Sequence, residues 1–151
     1  MKNLSDLLAA WAVVLWVGGL WAIGAIAAPI LFYHLDDRIL AGWLAGRMFE
    51  WMAWLGIVCA AWLLLHRLGR HGGAAFKQAF FWIVVAMLLL DLAGHFGIQP
   101  ILAELKGQAV PQEVMQSLVR DRFQTWHGVA SGVYLLQALL GLWLVARQST
   151  R

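Results

Sequence analysis

The sequence predicts an all-α integral membrane protein, a four-helix bundle running up-down-up-down with both termini in the cytoplasm. Three observations lead there. Of the 151 residues, 62% are hydrophobic and 13% are charged, where a soluble domain carries roughly 25% charged residues. A chain this short buries too little surface to hide so many apolar side chains from water, and lipid is the solvent that accepts them. Four apolar stretches reach the roughly 20 residues that cross a bilayer. Ten Trp residues suit the membrane interface, where an amphipathic ring is favoured.

We read residues 1–151 as one domain. The first apolar stretch covers about residues 7–31. Its apolar core exceeds the roughly 7–15 residues of a signal-peptide core, and Asp6 stands where a signal would be basic, so it reads as a retained helix. The second covers about residues 39–65, the third about 79–98 and the fourth about 126–146. The separators are the short HLDDR, the basic HRLGRHGGAAFKQ and a long polar segment from Gln99 to Thr125. Within the last, Pro111 suits a helix start, since its missing N–H is unneeded there. Val114, Met115, Leu118, Val119 and Phe123 recur at helical spacing, which predicts an interfacial amphipathic helix over about 111–123, or a hinge packed on the bundle.

Lys and Arg in the loops set orientation. With the N-terminus inside, the cytoplasmic segments hold Lys2, Arg67, Arg70, Lys77, Arg147 and Arg151, and the outer half holds Arg38, Arg47, Lys106, Arg120 and Arg122. The cluster Arg67, Arg70, Lys77 carries the assignment. The formal charge of +3 therefore reads as a topology signal, not a nucleic-acid footprint. The expected location is the bacterial inner membrane, multi-pass, with the lipid bilayer as partner. Cys59 is a single buried thiol that reports no redox compartment.

Gly42 and Gly46 are four apart, as are Gly128 and Gly132. Small residues at that spacing let helix backbones approach closely. These faces fit either packing within the bundle or a homo-oligomer.

Polar residues inside a membrane are costly and invite a functional question. Asp91 and His95 share a face of the third helix, with Gln99 a turn further. They either satisfy each other or form a site. His127, Ser131, Tyr134 and Gln137 make a polar stripe on the fourth helix, whose bland reading is interhelical hydrogen bonding. Arg47 and Glu50 are spaced to pair; a second helix protruding from the bilayer would leave that pair wet. Because the first and third helices end where the second and fourth begin, these residues all lie toward one side of the membrane. The expectation is a polar pocket in the outer half that includes Arg47, Glu50, Asp91, Ser131 and Tyr134, with His95 and His127 as candidate cofactor ligands. No phosphate loop, nucleophile elbow, HExxH motif or Cys pair is present, so nothing in the sequence points to hydrolysis.

Helix 1 carries Trp16-Val-Gly18-Gly19 and Ala28-Pro29-Ile-Leu-Phe32. Helix 2 opens Ala41-Gly42…Ala45-Gly46-Arg-Met-Phe49, and helix 4 opens Arg122-Phe123…His127-Gly128…Ser131. Across nearly the whole chain this order resembles the transmembrane-protein-205-like family of small four-helix membrane proteins. The resemblance implies a fold and a membrane location, and no established activity. The helix 1 exit, Pro29-Ile-Leu-Phe32-Tyr33-His34, also resembles the small haem-associated protoporphyrinogen oxidase and copper-resistance-D membrane proteins, although Ile30 stands where those often have Arg. Three functions follow as expectations. One is a non-enzymatic protein acting through lipid or protein contacts. The second is a haem- or copper-binding redox protein using His95 and His127. The third is an oligomeric transporter or channel subunit with Asp91 in an ion path.

Overall fold

A computed structural model describes residues 3–107 and 115–149. Four long helices make up most of the described residues. Helix α1 covers Leu4–His34, α2 covers Arg38–His71, α3 covers residues 79–107 and α4 covers Met115–Ser149. All four are long and apolar enough to cross a membrane. Each extends beyond the apolar stretch that announced it. The amphipathic segment expected over 111–123 begins outside the described residues. From Met115 it is helical and runs without a break into the fourth span.

The connections have local causes. Asp37 caps α2, its Oδ1 accepting from the backbone N–H groups of Ile39 at 2.8 Å and Leu40 at 3.0 Å, two donors that a helix start leaves free. The helix ends at Gly72, whose φ of +52° suits a residue without a Cβ. A 3₁₀ turn, Gly72–Lys77, then leads into α3.

Contacts between the helices fix the direction of each. Asp6, Trp16 and Gly19 of α1 meet His66, Gly56 and Met52 of α2. Gly56 and Arg67 of α2 meet Asp91 and Phe80 of α3. Leu20 and Val17 of α1 meet Tyr134 and Gly141 of α4. In every pair one number rises as the other falls, so the bundle is up-down-up-down and both termini lie at one end.

The densest core sits toward that end. Val13, Trp16, Leu20, Leu63, Val84, Met87 and Leu144 are at most 2% exposed. In the same half Asp6 binds His66 Nε2 at 3.1 Å and Arg70 Nη1 at 3.4 Å, and the buried Arg67 lies 4.0 Å from the Phe80 ring. Large apolar side chains such as Trp11, Leu15, Val58, Leu89, Leu139 and Leu142 stand exposed on the outside. In water this surface would drive aggregation; in a bilayer it is the lipid-facing coat. The chain is a multi-pass membrane protein.

Helices α1 and α3 share an irregularity. Each changes from α to π geometry for six residues, Ala22–Ala27 in α1 and Ala93–Ile98 in α3. Each π turn ends two residues before a proline, Pro29 or Pro100. The cause is chemical. Proline has no N–H to give the carbonyl four residues back, and its ring crowds that carbonyl. A wider turn just before it relieves the crowding.

Candidate functional site

Away from the termini the bundle opens. A cavity of about 1530 Å³ lies among all four helices, larger than the roughly 300–1,000 Å³ of ordinary ligand sites. Its wall is mainly apolar, with Phe32, Trp43, Phe49, Ile98, Leu102 and Phe123 among the lining side chains. The two π turns contribute Gly24, Ala25, Gly94 and His95.

The floor is polar. Asp91 is 6% exposed and Gln137 3% exposed, and both line the cavity. Trp16, fully buried beneath them, turns its indole Nε1 toward Asp91. Gly56 of α2 admits this arrangement. A Cβ there would strike the Asp91 carboxylate and lie 2.5 Å from Trp16 Nε1. The Trp16 and Gln137 side chains stand beside the Asp91 carboxylate, yet Trp16 Nε1, Asp91 Oδ2 and Gln137 Nε2 make no hydrogen bond of standard geometry. Buried polar groups are ordinarily paired. Here three polar groups stand together directly beneath the cavity, where Asp91 and Gln137 contribute to its lining.

Tyr134 forms the next layer. Its hydroxyl donates to the Leu20 carbonyl at 2.5 Å, its ring covers Gly24 and meets Phe49 edge to face at 5.0 Å. Trp21 Nε1 donates to the Ala138 carbonyl at 3.3 Å, so two side-chain-to-backbone bonds pin α1 to α4 beside the floor.

The structure brings some of the expected residues together and separates others. Asp91, His95, Glu50, His127, Ser131 and Tyr134 all line the cavity. Arg47 pairs with Glu50 at 2.7 Å but is not part of the lining. No hydrogen bond joins Asp91 to His95. The π turn that begins at Ala93 breaks the helical register between them. His95 instead packs edge to face on Trp54 at 5.1 Å and Phe96 at 4.7 Å, with Nδ1 buried and unbonded. His127 is exposed and stacks on Phe123 at 5.8 Å. Ser131 gives its hydroxyl to the His127 carbonyl at 2.9 Å, a local bond within the helix. Gly42 and Gly46 belong to the cavity wall. At Gly128 and Gly132 a Cβ would meet no atom within 4 Å, so neither packs against another helix of this bundle. Among the described residues no three His, Cys, Asp or Glu side chains gather as a metal-binding group.

Sequence reasoning missed Trp16, Gly24 and Gly56, and took Gln137 for structural glue. Trp16 and Gly56 are indistinguishable in sequence from the other apolar and small residues of their helices. Gln137 stood in the predicted stripe, and its burial beside Asp91 is what gives it a role.

A family model for a domain of unknown function, DUF4149, matches residues 11–111. The chain belongs to the DUF4149 family. The match takes in Asp91 of the cavity floor and Trp16 and Gly56 beneath it, while Tyr134 and Gln137 lie beyond it on α4. No curated protein and no solved structure matches this DUF4149 chain.

Proposed function

We propose that this DUF4149 protein is a membrane-embedded binding protein, non-enzymatic, that holds an amphiphilic molecule between its helices. The single observation that carries the reading is the cavity: about 1530 Å³, apolar in its walls, with the buried polar side chains of Asp91 and Gln137 at its floor. An apolar pocket with a few convergent polar groups is the usual form of a ligand site. A molecule with an acyl-like body and a polar end satisfies both regions, and the bilayer supplies such molecules. The resemblance to the transmembrane-protein-205-like family belongs to this reading, since it implies a small bundle that works within the membrane.

In the same proposal the membrane is the bacterial inner membrane and both termini are cytoplasmic. The basic cluster Arg67, Arg70, Lys77 supports that side. A C-terminal fluorescent-protein fusion is expected to glow and a C-terminal alkaline phosphatase fusion to stay inactive; the reverse pattern would invert the topology. The unpacked Gly128/Gly132 face leaves room for a second copy, which cysteine crosslinking at position 128 tests.

The binding reading is tested by filling the cavity. Gly46 lines it and has no atom within 4 Å of a Cβ position. Gly46→Phe is expected to fold and to lose retained amphiphile.

One observation favours a second reading. The unbonded Nδ1 of His95 stands at the cavity wall, and a free imidazole nitrogen suits haem iron or copper, with His127 as a second ligand. An absorption spectrum with metal analysis decides it. A Soret band or stoichiometric copper lost in His95→Ala would establish the redox reading, and a colourless, metal-free protein from replete cells would end it.

A further inference from the structure

The paired π turns have a consequence for the cavity. Ala28 N–H donates to the Ile23 carbonyl, five residues back, and so passes over Gly24. The next residue, Pro29, has no N–H. The Gly24 carbonyl is therefore left without an α- or π-helical donor. Helix α3 repeats the arrangement: Gln99 N–H donates to Gly94, Pro100 has none, and the His95 carbonyl is left over. Both Gly24 and His95 line the cavity, and no side-chain bond is made to either carbonyl among the described residues. Asp91, only 6% exposed, adds a buried carboxylate at the floor.

The donors Trp16 Nε1 and Gln137 Nε2 stand beside the Asp91 carboxylate, and the other features share one sign. A carboxylate and two uncommitted carbonyls are hydrogen-bond acceptors, and broken helices in membranes use freed carbonyls to hold cations. Among the described residues no Lys or Arg side chain reaches the floor: Arg38 and Arg120, which line the cavity, lie on helix segments at the opposite end from Asp91. We infer that the cavity takes an amphiphile with a protonated amine head, the ammonium seated at Asp91 and the Gly24 and His95 carbonyls and the alkyl chain along the apolar wall. The inference rests on the binding reading above and supplies its ligand class. An ammonium group has N–H donors for carboxylate and carbonyl alike, and in a site shielded from water its charge-assisted bonds strengthen. The cavity is far larger than a bare ion needs, which favours an organic cation.

The test is calorimetric titration of the full chain in dodecyl maltoside micelles, with empty micelles subtracted. Dodecylammonium, dodecanol and dodecanoate are the probes, with sodium chloride titrated alone. Dodecylammonium is expected to bind tightest, and Asp91→Asn to weaken it by about ten- to a hundredfold while leaving dodecanol unchanged. Pro29→Ala and Pro100→Ala restore backbone N–H groups to helix interiors, where alanine is well tolerated. Each is expected to weaken dodecylammonium by about two- to tenfold. They keep the test decisive if Asp91→Asn fails to fold. Equal binding of all three alkyl probes, unmoved by these variants, would overturn the ammonium site and leave the cavity reading standing. Binding of sodium with no binding of dodecylammonium would also overturn it. No binding of any alkyl probe would overturn both readings.

Discussion

At the scale of single residues, three glycines in this protein face different surroundings and separate packing from open space. A Cβ at Gly56 meets the Asp91 carboxylate and the Trp16 indole, both held by the core. Gly56→Ala is expected to cost about 1–3 kcal/mol, the range for overpacking a filled site. At Gly19 the collision is with the Met52 thioether, 2.6 Å away, and a flexible methionine can move aside. Gly19→Ala is expected to cost less than Gly56→Ala. At Gly46 there is nothing to meet, so Gly46→Ala should raise stability by about 0.5–1 kcal/mol through helix propensity alone. Thermal unfolding of the three variants in one detergent checks the order. Asp91 gives a second test at this scale. If it served only as glue between helices, Asp91→Asn would lose about 1–2 kcal/mol. Asn keeps one oxygen for the Trp16 and Gln137 donors that stand beside Asp91, so the variant is expected to lose less than that while losing ligand.

At the scale of elements, local sequence explains the start of α2 and the breaks in α1 and α3. Asp37→Ala removes the cap that serves Ile39 and Leu40 and is expected to lower stability by about 1 kcal/mol. Asp36→Ala, which takes no part in that cap, is the control, and the same melts decide. The four spans were legible because 20 apolar residues in a row have few other uses. The prolines were visible as well, but their effect was not. A proline inside an apolar run signals a disturbed helix without saying whether it kinks, ends or widens. The π turns at Ala22–Ala27 and Ala93–Ile98 shift the facing of everything beyond them, so the helical spacing of Asp91 and His95 does not bring the two side chains into a hydrogen bond. Spacing rules assume 3.6 residues per turn throughout, and they fail where that number changes. Glu50, Asp91, His127, Ser131 and Tyr134 were nevertheless traceable to one side of the membrane, because alternating helix direction alone places them there.

At the scale of the molecule, the bundle divides into a packed half and an open half. Toward the termini, Trp16, Leu63, Val84 and Leu144 close the core, and the Asp6–His66–Arg70 contacts tie α1 to α2. Beyond Asp91 the helices line a partly open cavity instead. In lipid the hydrophobic effect gives helices little reason to associate, and packing must do so; leaving half a bundle unpacked sacrifices that stabilisation. A ligand that fills the space restores it. The central claim is thus that an amphiphile occupies the open half. The most direct measurement is native mass spectrometry of the protein extracted from its own membranes into dodecyl maltoside, wild type beside Gly46→Phe. One amphiphile is expected to be retained per wild-type chain after detergent exchange, and none in Gly46→Phe. A wild-type chain stripped bare, or a molecule retained equally by both, would contradict it.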